Sequence, residues 1–339
     1  MRINKKINIH FFFRKPRLSG NFSIERTFDS FIPYINKKHF KIKKIICPFV
    51  SNGIINRIFI IIWAFFKQGD INHVTGDINF ISFFFTKKTI TTFLDCFLLK
   101  KLKPIKLFFF KKFWVILPIK KSFYSVAISN QTKKELINCC KSFEDKILEI
   151  PVCYHRFLQK SNYSFNFKKP SILIIGTAKN KNIINSLKSL KNIQCKVIII
   201  GKLNDNILKF LEKTDLDYLN YINLSNEKIN IQYKKSDIIL FPSTYEGFGL
   251  PIIEGQVCGK AVITSNISPM KDIAGVNGAC LVNPYKVKEI SNAILNIINN
   301  KKYREKLINN GIKNSKHYSP KLIAKKYMSL YYKLSGFKI

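Results

Sequence analysis

At 339 residues the chain is long enough for two ordinary domains, each with its own core, and 46% hydrophobic residues exclude a disordered tail protein. The formal net charge of +38 raises the question of nucleic acid, but only seven of the 58 basic residues are arginine, and the lysines run from Lys5 to Lys338 without gathering into an arm. Asn, Ile, Phe, Tyr and Lys are raised together, as an A+T-rich coding sequence would produce, so the charge predicts general attraction to anionic surfaces and nucleotides and no specific nucleic-acid partner.

The chain opens on a strand, "KINIHFFF", then a turn containing Gly20, then "FSIERTFDSFIPYI", where Ile24, Phe28, Phe31 and Ile32 recur at helical spacing. A strand "FKIKKIICP" and a helix "GIINRIFIIIWAFF" follow. The greasy stretch of that helix, Ile58 to Phe66, has nine residues between Arg57 and Lys67. About 20 are needed to span a bilayer, so it reads as a buried helix. "INHVTG", "KTITTFLD" and "SVAIS" predict three strands, "NQTKKELINCC" a helix and "KILEIPV" a closing strand. "YSFNFKKP" has the polar, proline-ended look of a linker. The alternation then restarts: strand "SILIIG", a helix around Ile183 to Leu190, strand "CKVIIIG", helix "NDNILKFLEK", strands "SDIILFPS" and "KAVITS", and a helical tail from Val287. The pattern predicts an α/β protein of two doubly wound, parallel-sheet domains over residues 1–165 and 166–319, with a last helix over 320–339.

The eight cysteines (47, 96, 139, 140, 153, 195, 258 and 280) form neither a CxxC pair nor a Cys/His cluster, which predicts no metal site and a reducing compartment, the cytoplasm. The N-terminal apolar run is short and lacks a small-residue cleavage site, so no secretory signal is expected.

The most informative stretch is "YEGFGLPIIE", residues 245–254, between a strand and a helix. Gly247 and Gly249 permit a close ligand approach, and Pro251 suits a first helical turn. The amides of Leu250, Ile252 and Ile253 are then expected to face outward at the positive end of a helix dipole, a site for an anion, with Glu254 in the first turn. Two carboxylates, Glu246 and Glu254, would repel phosphate and so must face neutral donors, for which a vicinal diol is the best candidate. Phosphate plus sugar hydroxyls describes a nucleotide-sugar. A capped helix with a surface glutamate explains the loop alone equally well.

"DIILFPSTYEGFGLPIIEGQVCGKAVITSN" resembles the C-terminal signature of the family 4 glycosyltransferases (glycosyl transferases group 1), which have the GT-B fold, and Glu246 and Glu254 fall on that family's two glutamates with seven residues between them. "FSIER", "HVTGD" at 73–77, "AISNQTKKEL", "IGTAKNKN", "YKKSDIILFPS" and "NPYKVKEISNAI" look like further family landmarks in order. The resemblance implies retaining, metal-independent and cofactor-free transfer of a hexose-like sugar from a nucleoside diphosphate sugar, with the donor in the second domain and the acceptor in the first. It implies that Glu254 holds the ribose hydroxyls, that Glu246 contacts the donor sugar and that Gly247, Phe248, Gly249 and Leu250 line the pyrophosphate and sugar. By the same match Lys181 neutralises the leaving diphosphate, and Gly20, with Ser19 and Asn21, lies in a loop near the donor phosphates. The last helix is expected to return to the first domain.

Two positions depart from the family pattern. In "TFLDC" Leu94 stands where the family has a histidine, leaving Asp95 of the pair, and Thr177 stands where many members have an arginine, with Lys179 nearby. His73 reads as a cleft residue or a satisfied core histidine, and Asp77 falls on an acceptor-side loop. "LFFFKKFWVILPIKKSF", Leu107 to Phe123, reads as an interfacial helix making peripheral membrane contact, in which case the acceptor is lipid-linked, or as a core helix with snorkelling lysines, which is preferred. The expected setting is surface polysaccharide, lipopolysaccharide or glycolipid synthesis, with a saccharide or lipid-linked acceptor. The alternatives are a catalytically degenerate GT-B protein, a phosphorylase or epimerase of the same fold, or a basic nucleic-acid-binding protein.

Overall fold

The computed structural model describes residues 6–16 and 23–337, so the Ser19–Gly20–Asn21 loop lies outside the described residues. The chain forms two compact units, one of Met1–Cys153 with Pro320–Ile339 and one of Tyr154–Ser319. Each is built on a six-stranded parallel sheet with helices on both faces, the doubly wound architecture that the alternation of elements predicts.

In the first unit the strands are β1 (Ile7–Phe13), β2 (Phe40–Ile46), β3 (Ile71–Val74), β4 (Lys88–Phe93), β5 (Tyr124–Ala127) and β6 (Ile147–Glu149), ordered β2-β1-β3-β4-β5-β6. The second half of β1, Phe11–Phe13, is apolar and buried on both sides because both sheet faces are covered. Ile9, Phe11 and Phe13 meet Phe28, Phe31 and the helix Pro320–Ser335 on one face, and Phe12 meets Ile60, Ala64 and Phe85 on the other. The Pro320–Ser335 helix buries Ile323, Tyr327, Leu330, Tyr331 and Leu334 there, and its Tyr327 stacks on Phe31 at 5.0 Å.

His73 is a core residue. It is fully buried on β3, with Nδ1 2.7 Å from the Tyr331 hydroxyl and Nε2 2.8 Å from Thr92 Oγ1. Burial holds its pKa near 3, below the ordinary 6.5. The folded state thus refuses a proton that the unfolded chain accepts, so this contribution to stability is intact above pH 6.5 and lost as pH falls from 6.5 toward 3. The expected slope is about 1.4 kcal/mol per pH unit within that window, read from urea midpoints at neutral and mildly acid pH. His73→Gln should flatten it.

Two expectations about apolar segments fail. The helix Gly53–Phe65, predicted to be buried, buries only Ile60 and Ala64, while Ile54 (75%), Ile55 (70%) and Phe66 just beyond it (77%) are exposed. Its inner side reaches the sheet with one stripe, and no further element covers the other stripe among the described residues. The preferred core placement of Leu107–Phe123 holds only for its second half. Val115, Pro118 and Ile119 are buried, but Phe108 and Phe109, on the helix Pro104–Phe110, are exposed.

The second unit contains β7 (Ser171–Ile175), β8 (Lys196–Ile200), β9 (Tyr218–Tyr221), β10 (Ile238–Phe241), β11 (Ala261–Ser265) and β12 (Cys280–Val282), ordered β12-β11-β10-β7-β8-β9. β9 and β12 lie at its two edges, and neither is apparent from apolar runs, because both are short and partly exposed. The expected boundary at 165/166 differs from the division at Cys153/Tyr154. The "linker" is bound into the second unit: Ser161 Oγ donates to the Lys234 carbonyl (2.7 Å), the Asn166 amide donates to Asp237 Oδ1 (3.1 Å), and Phe165 packs on the core. All eight cysteines are free thiols, and burial pushes Cys153 and Cys258 up to about 12.

Candidate active site

The order of the second sheet reverses direction between β7 and β10, which are paired in parallel. In open α/β sheets the loops leaving the carboxyl ends of two such strands diverge and leave a crevice for a ligand. Both motif-bearing segments leave from here, residues 176–182 after β7 and residues 242–249 after β10.

Asparagines tie the two loops together. The Thr244 amide donates to the Asn180 carbonyl (2.8 Å), and Asn180 Nδ2 donates to the Tyr245 carbonyl (2.8 Å). Asn182 adopts φ 57° and donates to the carbonyls of Pro242 (3.0 Å) and Pro284 (2.6 Å). Sequence reasoning missed these two residues, although asparagine tolerates the left-handed backbone better than most, and "KNKN" offers that signal.

These ties place Lys181 beside Glu246. Lys181 Nζ lies 2.7 Å from Glu246 Oε1, with the two side chains 22% and 12% exposed, and 4.8 Å from the centre of the Phe241 ring. The lysine stem runs over Gly176, where a Cβ would sit 3.0 Å from Lys181 Cε, and the backbone there has φ +85°, a conformation that favours glycine. The sequence assigned Lys181 to phosphate and Glu246 to sugar hydroxyls as separate tasks. The structure couples them in one ion pair.

Thr177, in the same loop, donates from Oγ1 to the Lys202 carbonyl (2.6 Å) and packs on Gly201. In the second loop Gly249 (φ 111°) is the N-cap of the helix Leu250–Val257, which starts at Leu250 and has Pro251 in its first turn. Phe248 is buried edge-on against Tyr318 (5.7 Å). Two details differ from expectation. The Ile252 amide already donates to the Gly249 carbonyl (2.9 Å), so it does not face outward. Glu254 falls in the second helical turn, which turns its carboxylate inward.

Glu254 is only 5% exposed. The Tyr233 hydroxyl donates to its Oε2 at 2.5 Å, and His155 Nδ1 sits 2.5 Å from its Oε1. Burial and the neighbouring carboxylate push the Tyr233 hydroxyl well above its ordinary pKa, so it remains a donor. His155 stacks on Phe157, and its Nε2 is buried with no hydrogen-bond partner among the described residues. Gly255 lets the helix press onto the sheet, for a Cβ there would lie 2.7 Å from Ile239 Cγ1. Tyr233 and His155 were not legible as site residues, since they come from distant segments that only the fold brings to Glu254.

The remaining candidates belong to the first unit. Asp95 is exposed after β4, and its Oδ1 accepts from the Phe97 amide (2.9 Å), a local turn cap. Leu94 packs on Gly76 (φ +120°), where a Cβ would sit 2.5 Å from Leu94 Cδ1. Asp77 (φ 60°) is ion-paired with Arg14, whose Nε also reaches Glu25 Oε1 at 3.1 Å. Arg14 follows β1 and Asp77 follows β3, where the first sheet reverses its order, so the sequence missed a buried arginine at that switch point.

Two doubly wound units of this kind, the second with a loop-borne Lys–Glu pair at its switch point, define a GT-B protein. Residues 156–314, just under half of the chain, match the family model for glycosyl transferases group 1. Among curated proteins, an uncharacterized glycosyltransferase of Methanocaldococcus jannaschii is 31% identical over 142 residues, 40% of this chain and 39% of that protein. The N,N'-diacetylbacillosaminyl-diphospho-undecaprenol alpha-1,3-N-acetylgalactosaminyltransferase of Campylobacter jejuni is 25% identical over 169 residues, 48% of this chain and 45% of that protein. Both matches therefore span less than half of the relative's length. Among solved structures, Anabaena Alr3699/HepE in complex with UDP and glucose superposes with a TM-score of 0.75 at 13% identity, covering 98% of this chain and 100% of that one. That likeness establishes the fold.

Proposed function

We propose that the protein is a glycosyltransferase that moves a sugar from a nucleoside diphosphate sugar to a saccharide or lipid-linked acceptor, with retention at the anomeric carbon and without a required metal. The Lys181–Glu246 pair at the switch point carries this reading. In the reaction the bond from the anomeric carbon to the β-phosphate oxygen breaks, and the nucleoside diphosphate leaves with the electron pair. The acceptor oxygen bonds to the anomeric carbon, and its proton passes to the departing phosphate. Lys181 supplies positive charge where the diphosphate charge develops, and Glu246 accepts from sugar hydroxyls next to it. Glu254 accepts from the ribose hydroxyls, sharing its carboxylate with Tyr233 and His155. Thr177 and the 247–250 backbone line the donor, Asp95 is the remaining member of the catalytic His-Asp pair, and Asp77 lies on the acceptor side. The diphospho-undecaprenol in the name of the Campylobacter relative and the UDP in the Anabaena structure favour surface polysaccharide or glycolipid synthesis from a nucleotide-sugar at the cytoplasmic face of a membrane. No helix among the described residues is long and apolar enough to cross a membrane.

The test is a panel of UDP- and GDP-sugars with a membrane lipid extract as acceptor, scored for released UDP or GDP with and without EDTA. Release indifferent to EDTA, with the donor's anomeric configuration kept in the product, is expected. Released sugar phosphate or an epimerised donor would instead identify a phosphorylase or an epimerase. One observation favours a second reading, a protein that binds the donor without transfer: Leu94, at the family's histidine position, packs as an apolar side chain on Gly76. UDP or GDP binding with no turnover for any donor would establish it.

A further inference from the structure

The exposed apolar side chains of the first unit are concentrated on two neighbouring elements. On the helix Gly53–Phe65, Ile54, Ile55, Ile58, Phe59 and Ile62 are each at least half exposed and recur at helical spacing along one stripe. On the helix Pro104–Phe110, Ile105 (76%), Phe108 (62%) and Phe109 (55%) stand out in the same way. Trp114, just after the second helix, bridges the two: the Arg57 guanidinium lies 4.6 Å over its ring, and the ring stacks on Phe110 at 5.6 Å. Soluble monomers rarely leave so much contiguous apolar surface to water, and such patches mark interaction sites.

Charge decides the partner. From Lys100 to Lys121 the chain has no aspartate or glutamate, and Lys101, Lys103, Lys106, Lys112, Lys120 and Lys121 are exposed. Between Asn52 and Gln68 there is again no acid. Phenylalanine and isoleucine among lysines, on helices too short to span a bilayer, are the composition of a surface that lies in the headgroup region. Lysines next to such a face add attraction to anionic lipids, and that attraction weakens with salt.

We infer that this face, formed by the Gly53–Phe65 and Pro104–Phe110 helices, docks the first unit onto an anionic lipid bilayer, its apolar stripes entering the headgroup boundary and its lysines meeting acidic headgroups. The inference goes beyond sugar transfer and is measured without any nucleotide, so its failure and the failure of the transferase reading are separable.

The full chain is to be sedimented with vesicles of phosphatidylcholine alone and of equal parts phosphatidylcholine and phosphatidylglycerol. Binding to the mixed vesicles at low salt, weakened at least about tenfold by high salt or by omitting phosphatidylglycerol, is expected. Ile55→Glu with Phe108→Glu should reduce binding at least about tenfold with unchanged circular dichroism, since both side chains are exposed. Lys103→Gln with Lys106→Gln should lower affinity for the mixed vesicles and leave the weak binding to phosphatidylcholine as it was. Absence of vesicle binding, or equal binding by Ile55→Glu/Phe108→Glu, overturns the inference. A dimer that this double substitution dissociates, without vesicle binding, assigns the face to a second copy and overturns it equally.

Discussion

Glu254→Gln is expected to weaken UDP or GDP binding about tenfold to hundredfold while the protein stays folded, the range for losing a charged hydrogen-bond acceptor. The substitution keeps the side-chain volume inside a site that is 5% exposed and pressed against the sheet through Gly255. Glutamine still offers one oxygen to Tyr233 or His155, but its amide cannot accept on both sides as the carboxylate does. Glu254→Ala is a poorer test, because it leaves the Tyr233 hydroxyl and the His155 ring buried without their acceptor. Such orphaned groups cost about 1–3 kcal/mol each, so lost binding would be confounded with lost stability. Isothermal titration with UDP and GDP, alongside urea midpoints, separates the two effects. Equal nucleotide affinities for wild type and Glu254→Gln would make Glu254 an internal anchor for the 245–254 loop and remove it from the donor site.

Lys181→Met is expected to lower turnover about a hundredfold to a thousandfold with a smaller change in KM, the pattern of a charge that acts on the developing diphosphate. Methionine keeps the stem over Gly176 and removes the ammonium that faces Glu246. Because the two side chains form one ion pair, Glu246→Gln and the double variant should be strongly non-additive, the double costing little more than the worse single. Additive losses in released UDP or GDP would show that the two residues act independently and that the pair is incidental to the chemistry.

Parallel strands leave a plain trace, because both their faces are covered and they read as near-continuous apolar runs, as Ile172–Ile175 of β7 and all of β10 do. The 245–254 loop was legible for a different reason: its glycines, proline and two acids alone fit a capped helix equally well, and it was the resemblance to the family signature that singled them out. Burial was the weaker inference. The Gly53–Phe65 helix is as apolar as a core helix, yet its sequence carries no mark of whether a partner covers its outer stripe. The compact units divide at a different place for a related reason: a polar, proline-ended stretch looks like a linker, yet Ser161 and Asn166 bond into the second unit.

By itself, the sequence determined the doubly wound architecture, the strand–loop–helix setting of Glu246 and Glu254, and the departure at Leu94. The first two follow from local periodicity and spacing, and the third from the resemblance to the family pattern. Only the tertiary structure decided that Lys181 and Glu246 form one pair, that Tyr233 and His155 hold Glu254, and that the apolar helices of the first unit face outward. Those facts depend on which distant segments meet. A chain's neighbours in space are set by packing, and packing leaves no periodicity to read.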